Sequence, residues 1–280
     1  MSVASVHEPA PRAYVEGVLN HIAPMEGKPA IHIPPEGKGH PERTYEHEHR
    51  TVKIHDMRDV ADGLSLDVEG LALVPHDTKV GDFHDDDEVR RVYYDEVAEL
   101  VKQATGASDV VVFDHTVRVG QKKGEYKAGP RKPVRIVHND YTPKSGPQRV
   151  HDLLPVDEAE EWLKGRYAII NVWRPIKGPV ESMPLAVADA RFMGPNDFVA
   201  ADMIYEDRVG EIYEVAYNPE HRWYYVPRME RNEAMLLKCY DSETDGRARF
   251  TAHSAFIDPT TPEDAAPRES IEIRTLVRFD

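Results

Sequence analysis

The segment that decides the fold is residues 133–140, PVRIVHND, a run of β-forming residues that ends in a histidine and an acid. Successive side chains of a β-strand point to opposite faces, so His138 and Asp140 project from the same side. An imidazole and a carboxylate placed in this way can share one metal ion. The segment therefore predicts a strand that ends at a metal site.

The short pattern His-x-acid is not specific by itself. The chain has 14 histidines and 50 acids among 280 residues, so about as many matches are expected by chance as the three that occur. The match at residues 40–42 lies in a Pro-rich stretch, and the match at residues 84–86 precedes an amphipathic helix. Only His138 ends a β-like run, and this context favours it.

A third ligand is predicted at His253, which lies in the strand-like segment RFTAHSAF, residues 249–256. Two imidazoles and one carboxylate that leave coordination positions open are typical of non-haem Fe(II) sites. A lone histidine in a strand is more commonly a core residue that bonds to the backbone, and this alternative stays open for His253.

The strand that follows His253 carries an unusual polar face. Arg268, Ser270, Glu272 and Arg274 alternate with residues 271, 273 and 275. A guanidinium binds a carboxylate through two hydrogen bonds, and a hydroxyl adds another donor. Arg268 and Ser270 are therefore predicted to hold the far carboxylate of 2-oxoglutarate, the usual electron source for Fe(II) oxygenases. For Arg274, cosubstrate contact and an ion pair with Glu272 remain equal alternatives.

The composition is that of a globular enzyme. The net charge is −15, which disfavours nucleic acid as a partner. Cys239 is the single cysteine, so an intrachain disulfide is excluded and a cytoplasmic location is predicted. No apolar stretch is long enough to cross a bilayer, so no membrane partner is expected. The predicted partner is a small-molecule substrate, and a homo-oligomer is left open.

The chain divides into two parts that are predicted to form one structural domain. Residues 1–107 form an N-terminal arm and helical support, and residues 108–280 form the catalytic core. The first 50 residues are predicted to be extended, with edge strands at residues 51–54 and 71–74. The clearest helix runs from Asp85 to Gly106, because apolar residues recur at three- and four-residue steps. A shorter one is predicted from Asp157, as its cap, to Lys164.

The core is predicted to be rich in strands. Turn residues separate short β-like segments, and few helices interrupt them, which is typical of a sandwich or jelly roll. The predicted strands are 109–113, 133–138, 166–173, 185–192, 211–217, 222–227, 234–240, 248–256 and 270–279.

Two other polar motifs have simpler interpretations. The motif His47-Glu48-His49 lacks the glycines and the later acid of a cupin metal site, so it is interpreted as part of a solvated arm. The acidic run from Asp82 to Glu88 lacks an EF-hand loop, so it is interpreted as the start of a helix.

From residue 108 onward the chain resembles the bacterial and fungal hydroxylase/desaturase family that includes proteins of the aspergillic acid and cephamycin pathways. The joint order of the matching blocks is more specific than any one of them. The matching blocks are VHNDYT (137–142), NVWRP (171–175), PLAVAD (184–189), WYYVPRM (223–229), KCYDS (238–242), HSAF (253–256) and PRESIEIR (267–274). The block DHTVR (114–118) is a further candidate for this set.

The resemblance implies a mainly β, double-stranded β-helix (a jelly roll, cupin-like) with flanking α-helices. It also implies Fe(II), 2-oxoglutarate and O2, with His138, Asp140 and His253 as iron ligands and Arg268 with Ser270 as the cosubstrate clamp. Family members mostly hydroxylate or desaturate small specialised metabolites. The acid at Asp140 argues against the related halogenases, which have Gly or Ala there.

Five residues are candidates for the substrate pocket, although core packing is the commoner role of the aromatic ones. They are Arg118, Trp173, Arg174, Trp223 and Tyr224. Two other functions stay open at this point: an Fe(II) oxidase that does not use 2-oxoglutarate, and a non-catalytic metal-binding β-barrel.

Overall fold

The computed structural model describes residues 13–35, 38–120 and 131–280. Within these ranges the secondary structure is mainly β, and the strands are numbered in chain order. They are β1 (Tyr14–Ile22), β2 (Ala30–His32), β3 (Glu42–Arg43), β4 (His47–Asp56), β5 (Leu71–Pro75), β6 (Asp109–Val119), β7 (His138–Asn139), β8 (Tyr167–Pro175), β9 (Leu185–Ala188), β10 (Phe198–Ile204), β11 (Val209–Val215), β12 (Trp223–Tyr225), β13 (Glu233–Asp241), β14 (His253–Ala255) and β15 (Glu269–Arg278).

The strands form two sheets. The five-stranded sheet has the order β5-β13-β8-β15-β6, and all its neighbours are antiparallel. The ten-stranded sheet has the order β1-β4-β12-β9-β14-β7-β11-β10-β2-β3. From β6 onward the chain passes back and forth between the two sheets, so residues far apart in sequence become neighbours. This is the mainly β architecture that the sequence predicts.

Strand β8 is buried along its whole length because both of its faces are covered. Ile169 and Trp173 pack into the main core between the sheets, together with Leu237 of the neighbouring strand β13 and Leu185 of β9 in the other sheet. The alternate residues of β8 belong to a second apolar cluster on the other face. Alternation along this strand therefore decides which side chains can reach the interior.

The second cluster lies under the predicted long helix. This helix consists of three consecutive segments: α1 (Asp86–Glu88), a π-helical segment (Val89–Tyr93) and α2 (Tyr94–Thr105). The Asp85 carboxylate accepts hydrogen bonds from two backbone N–H groups of the first turn. At the other end Gly106 has φ +71°, a left-handed conformation that glycine adopts without strain. Both predicted ends of this helix are confirmed.

Two shorter helices follow β7. Helix α3 (Ser145–Leu153) is not among the predicted elements, and it packs Val150 into the main core. Helix α4 (Val156–Trp162) begins one residue earlier than predicted. Pro155 holds the capping position without a side-chain hydrogen bond, and Asp157 lies inside the first turn. The prediction that Asp157 caps this helix is wrong.

The N-terminal region is more regular than the predicted arm. Strands β1 and β4 pair at nine positions, and β4 also pairs with β12. Residues 51–54 therefore lie in an internal strand, so the prediction of an edge strand there is wrong. Strand β5 does form the edge predicted at residues 71–74. The parts of the predicted arm at residues 1–12 and 36–37 lie outside the described residues.

Several predicted strands are shorter in the structure. Of the predicted strand 133–138, only the last residue belongs to a strand, β7. The backbone before it is shared between two strands, because the N–H of Val137 donates to Asn20 of β1 and its carbonyl accepts from Val215 of β11. The segment 185–192 leaves the sheet after Ala188 and turns into a short 3-10 helix. Strand β10 is an addition that was not predicted. The boundary near residue 107 stays a prediction, since strands from both sides of it share sheets.

In the described part of the chain, no helix combines the length and the apolar character that crossing a membrane requires.

The buried imidazole of His21 should make the fold sensitive to acid. His21 is fully buried, and burial and the neighbouring His221 lower its pKa to about 4. In the unfolded chain its pKa is about 6.5, so the unfolded state takes up a proton first as the pH falls. The stability that His21 contributes is therefore complete above pH 6.5 and is lost between pH 6.5 and 4.

We expect His21→Gln to remove about 2 kcal/mol of the difference in unfolding free energy between pH 7.5 and pH 5, a size that follows from 1.36 kcal/mol per pKa unit. Urea denaturation at the two pH values measures it. Equal pH dependence of the wild type and the variant would contradict the assignment.

Candidate active site

The three predicted ligands meet at one place. His138, Asp140 and His253 each offer a ligand atom, and these atoms lie within 4.8 Å of one another. Nε2 of His138 lies 3.5 Å from Oδ1 of Asp140, and the two imidazole centroids are 4.4 Å apart. His253 is the strand partner of His138 where β14 pairs with β7. Sheet pairing thus brings together residues from distant parts of the chain.

Both imidazoles are oriented by backbone carbonyls. Nδ1 of His138 donates to the carbonyl of Ile136 at 2.7 Å, and Nδ1 of His253 donates to that of Thr251 at 3.0 Å. A carbonyl only accepts, so each Nδ1 carries a proton, and in a neutral imidazole with this tautomer Nε2 has the lone pair. Burial and the adjacent His253 lower the pKa of His138 and keep it neutral. Neutral rings with free Nε2 atoms are the form that binds a metal.

The carboxylate of Asp140 is held from behind. Its Oδ2 accepts hydrogen bonds from Nδ2 of Asn171 at 2.8 Å and from Nε of Arg274 at 3.2 Å. Burial by itself would raise the pKa of Asp140, but the charge of Arg274 and the hydrogen bond from Asn171 outweigh burial and hold the pKa far below its usual value. Asp140 is therefore ionised, with Oδ1 turned towards the histidines.

Arg274 is fully engaged by side chains of the protein. It also contacts Asp114 at 3.1 Å, the hydroxyl of Thr116 at 3.2 Å and the carboxylate of Glu272. Of the two alternatives that the sequence left open for Arg274, these contacts favour the ion pair over contact with a cosubstrate.

A second group of polar side chains, a candidate anion pocket, lies at the start of β15. Arg268 is 3% exposed and stacks on Trp173, with its guanidinium carbon 5.3 Å from the ring centroid. Its Nη1 donates to the carbonyl of Met183 at 2.6 Å. Among the described residues, neither Nε of Arg268 nor Oγ of Ser270 has a hydrogen-bond partner, although both atoms are buried. Buried donors without partners are costly, and an anionic ligand would satisfy them.

Arg118 adds positive charge to this pocket. It is the strand partner of Ser270 where β6 pairs with β15, so both side chains leave the sheet on the same face. Burial and the like charge of Arg118 lower the pKa of Arg268 to about 9. Two guanidinium groups that repel each other in a buried place favour a bound carboxylate.

The other pocket candidates are divided by strand alternation. Tyr224 belongs to the main core, as Trp173 does. Trp223 points to the opposite side and packs against His21 and His221.

Arg174 also misses the pocket. It lies under the long helix, with its guanidinium carbon 5.6 Å from the ring centroid of Tyr93 and 5.7 Å from that of Phe83. Its Nη1 lies 3.2 Å from Nδ1 of His76. The structure does not bring Arg174 or Trp223 to the site. Arg174 follows Trp173 and Trp223 precedes Tyr224, and neighbouring residues of a strand point to opposite faces.

Sequence reasoning missed an acid beside His138. Glu214 pairs with His138 where β11 meets β7, and it is 1% exposed. Its carboxylate accepts a hydrogen bond from the Tyr45 hydroxyl at 2.5 Å and lies 3.3 Å from Nε2 of His47. The motif at residues 47–49 is thus part of strand β4, and its first histidine packs beside the site. The N-terminal region thus contacts the strand partner of His138.

Comparison with known proteins agrees with this geometry. A family model described as "Oxidoreductase/YMDC permease-like domain" matches residues 19–278. The hydroxylase/desaturase efuI of Hormonema carpetanum is 36% identical over 251 residues, which cover 82% of this chain and 83% of the relative. The Fe(II)/2-oxoglutarate-dependent dioxygenase nvfI of Aspergillus novofumigatus is 36% identical, over 81% of this chain and 82% of the relative.

A solved structure extends the likeness to the whole fold. The iron and alpha-ketoglutarate-dependent endoperoxidase NvfI superposes with a TM-score of 0.85 at 30% identity. The match covers 96% of this chain and 99% of that one.

The fold and the site define a jelly-roll oxygenase of the non-haem iron class. The chain belongs to the hydroxylase/desaturase family of Fe(II)/2-oxoglutarate-dependent dioxygenases. The predicted fold, the predicted enzyme class and its requirement for Fe(II), 2-oxoglutarate and O2 are confirmed. An oxidase that does not use 2-oxoglutarate and a non-catalytic barrel are no longer needed as explanations.

Asn171 provides a test of the geometry around Asp140. Leucine has the same branched shape as asparagine, so Asn171→Leu places a similar side chain in β8 while removing the hydrogen bond to Oδ2. Loss of such an outer contact typically lowers metal affinity by about 10- to 100-fold. Anaerobic Fe(II) titration of the metal-free protein measures this loss, and an unchanged dissociation constant would show that Asn171 does not orient the carboxylate.

Proposed function

We propose that His138, Asp140 and His253 hold the Fe(II) of this dioxygenase, and that Arg268 and Ser270 bind the far carboxylate of 2-oxoglutarate. The enzyme then hydroxylates or desaturates a small specialised metabolite. The single observation that carries the proposal is the approach of three ligand atoms from separate segments to within 4.8 Å.

The donor set fits ferrous iron. Two neutral imidazole nitrogens and one carboxylate oxygen are the ligands of a non-haem Fe(II) site that keeps positions open for cosubstrate and O2. The unpartnered donors of Arg268 and Ser270 fit a dicarboxylate that reaches across from such a site. When bound, iron and 2-oxoglutarate supply the activation of O2 that oxidises a C–H bond.

The protein's own residues orient and insulate this chemistry. Arg274 and Asn171 fix Asp140 in the ionised form, and the carbonyls of Ile136 and Thr251 fix the two rings. Trp173 supports Arg268 by stacking. The apolar core between the sheets excludes water from the closed side of the site, which strengthens each electrostatic contact within it.

The metal assignment is tested by His253→Ala. We expect the variant to lose stoichiometric Fe(II) binding, because two remaining ligands do not hold the ion. The control is His84→Ala, which removes an exposed histidine that pairs with Glu269. Iron content after anaerobic loading and desalting gives the answer, and full occupancy in His253→Ala would reject the triad.

The cosubstrate assignment is tested by Arg268→Gln. A hydrogen bond to a charged group contributes about 1.5–3 kcal/mol, so 2-oxoglutarate should bind about 10- to 100-fold more weakly while Fe(II) still binds. Anaerobic calorimetric titration of 2-oxoglutarate into the Fe(II) protein measures the change. Arg208→Gln, at an exposed ion pair with Asp207, is the control. Equal affinity in both variants would place the clamp elsewhere.

A further inference from the structure

Asn139 lies between two of the proposed ligands and is fully buried. Its Nδ2 donates to the carbonyl of Tyr141 at 2.7 Å and to that of Cys239 at 2.9 Å. Its Oδ1 accepts a hydrogen bond from the backbone N–H of Thr251 at 3.2 Å. Both donors and the acceptor of the amide are thus used within the protein, which also fixes the orientation of the amide.

The backbone contact between the two ligand-bearing strands is short. Strand β7 has two residues and β14 has three, and they share one paired position, His138 with His253. A single pair gives few backbone hydrogen bonds to fix the spacing of the strands. A side chain that joins the same two segments therefore has a large share in setting this spacing.

The hydrogen bond between Asn139 and Thr251 connects Asn139 to His253 through a single residue. Thr251 donates its N–H to Asn139 and accepts at its carbonyl from Nδ1 of His253. The amide of Asn139 and the ring of His253 are therefore connected through the backbone of a single residue. Any shift of Thr251 moves the carbonyl that orients the His253 ring.

The same amide anchors this assembly to the other sheet. Strand β13 changes register against β8 between Lys238 and Tyr240, which leaves Cys239 as the extra residue of a β-bulge. A bulged residue is left out of the ladder. The carbonyl of Cys239 accepts from Asn139 instead. The side chain thus connects the turn after His138, the His253 strand and the five-stranded sheet.

We propose that Asn139 is a positioning residue that sets the distance between the His138–Asp140 pair and His253, so that iron affinity depends on its amide. The proposal rests on the assignment of these three residues as iron ligands. A purely structural role would lower the stability of the metal-free protein but would leave the affinity of the folded protein for iron unchanged.

The variants separate these two roles. Asn139→Leu keeps the branched shape of the side chain and removes all three hydrogen bonds, and Asn139→Ala is a smaller replacement in case the larger leucine prevents folding. The matched control is Thr275→Val, which removes a hydroxyl that is fully buried and donates to the carbonyl of Ile170 at 2.8 Å in the sheet. All three variants lose buried hydrogen bonds, but only the Asn139 variants lose bonds to the His253 strand.

The experiment is anaerobic titration of metal-free protein with Fe(II) alone, at a temperature where circular dichroism shows each protein folded. We expect the Asn139 variants to bind Fe(II) about 10- to 100-fold more weakly, the range typical of residues that orient metal ligands. Thr275→Val should unfold at a lower temperature and keep its dissociation constant within about twofold of the wild type, since it lacks any bond to a ligand. Wild-type affinity in a folded Asn139 variant would overturn the proposal.

Amide hydrogen exchange gives a second readout that does not depend on metal. The N–H of Thr251 should exchange faster in the Asn139 variants, whereas that of Ile176, which bonds to the carbonyl of Glu269 in the five-stranded sheet, should not change. Equal protection of Thr251 in wild type and variant would also overturn the proposal. If His253→Ala keeps its iron, the proposed triad itself fails; if His253→Ala loses iron and the Asn139 variants do not, only the role of Asn139 fails.

Discussion

The interaction on which the site depends is the ion pair between Asp140 and Arg274. A carboxylate buried without a partner would take up a proton and lose its value as a metal ligand. Arg274 prevents this, and because it comes from β15 of the five-stranded sheet it also connects that sheet to the turn after β7. The charge state of the ligand and the approach of the two sheets are therefore fixed by the same contact.

The polar face of β15 serves two purposes along its length. Near the start of the strand, Arg268 and Ser270 have donors without partners among the described residues. Further along, Arg274 forms ion pairs with Glu272, Asp114 and Asp140. One face of this strand therefore has two parts. Its start carries the residues proposed to bind an anion, and a few residues further on it carries the arginine that pairs with the proposed metal ligand Asp140.

The sequence predicted the three ligand residues because their signal is local: His138 and Asp140 follow a β-like run, and His253 lies in a strand-like segment. The roles of Asn139 and Glu214 could not be predicted in this way, since the partners of each lie in segments far along the chain. Arg174 was misplaced because it adjoins Trp173, and a shift of one residue in β8 changes the face. The regular pairing of β1 and β4 was missed because many polar residues lie in those strands.

Tyr45 and His47 connect the N-terminal segment to Glu214, the strand partner of His138. Tyr45 lies just before β4 and packs on residues of β1 and β2. Replacement of the Tyr45 side chain would therefore change the surroundings of Glu214 without breaking the backbone pairing of β4 with β1. The chemical environment beside a proposed iron ligand can in this way be altered from outside the segments that carry the ligands.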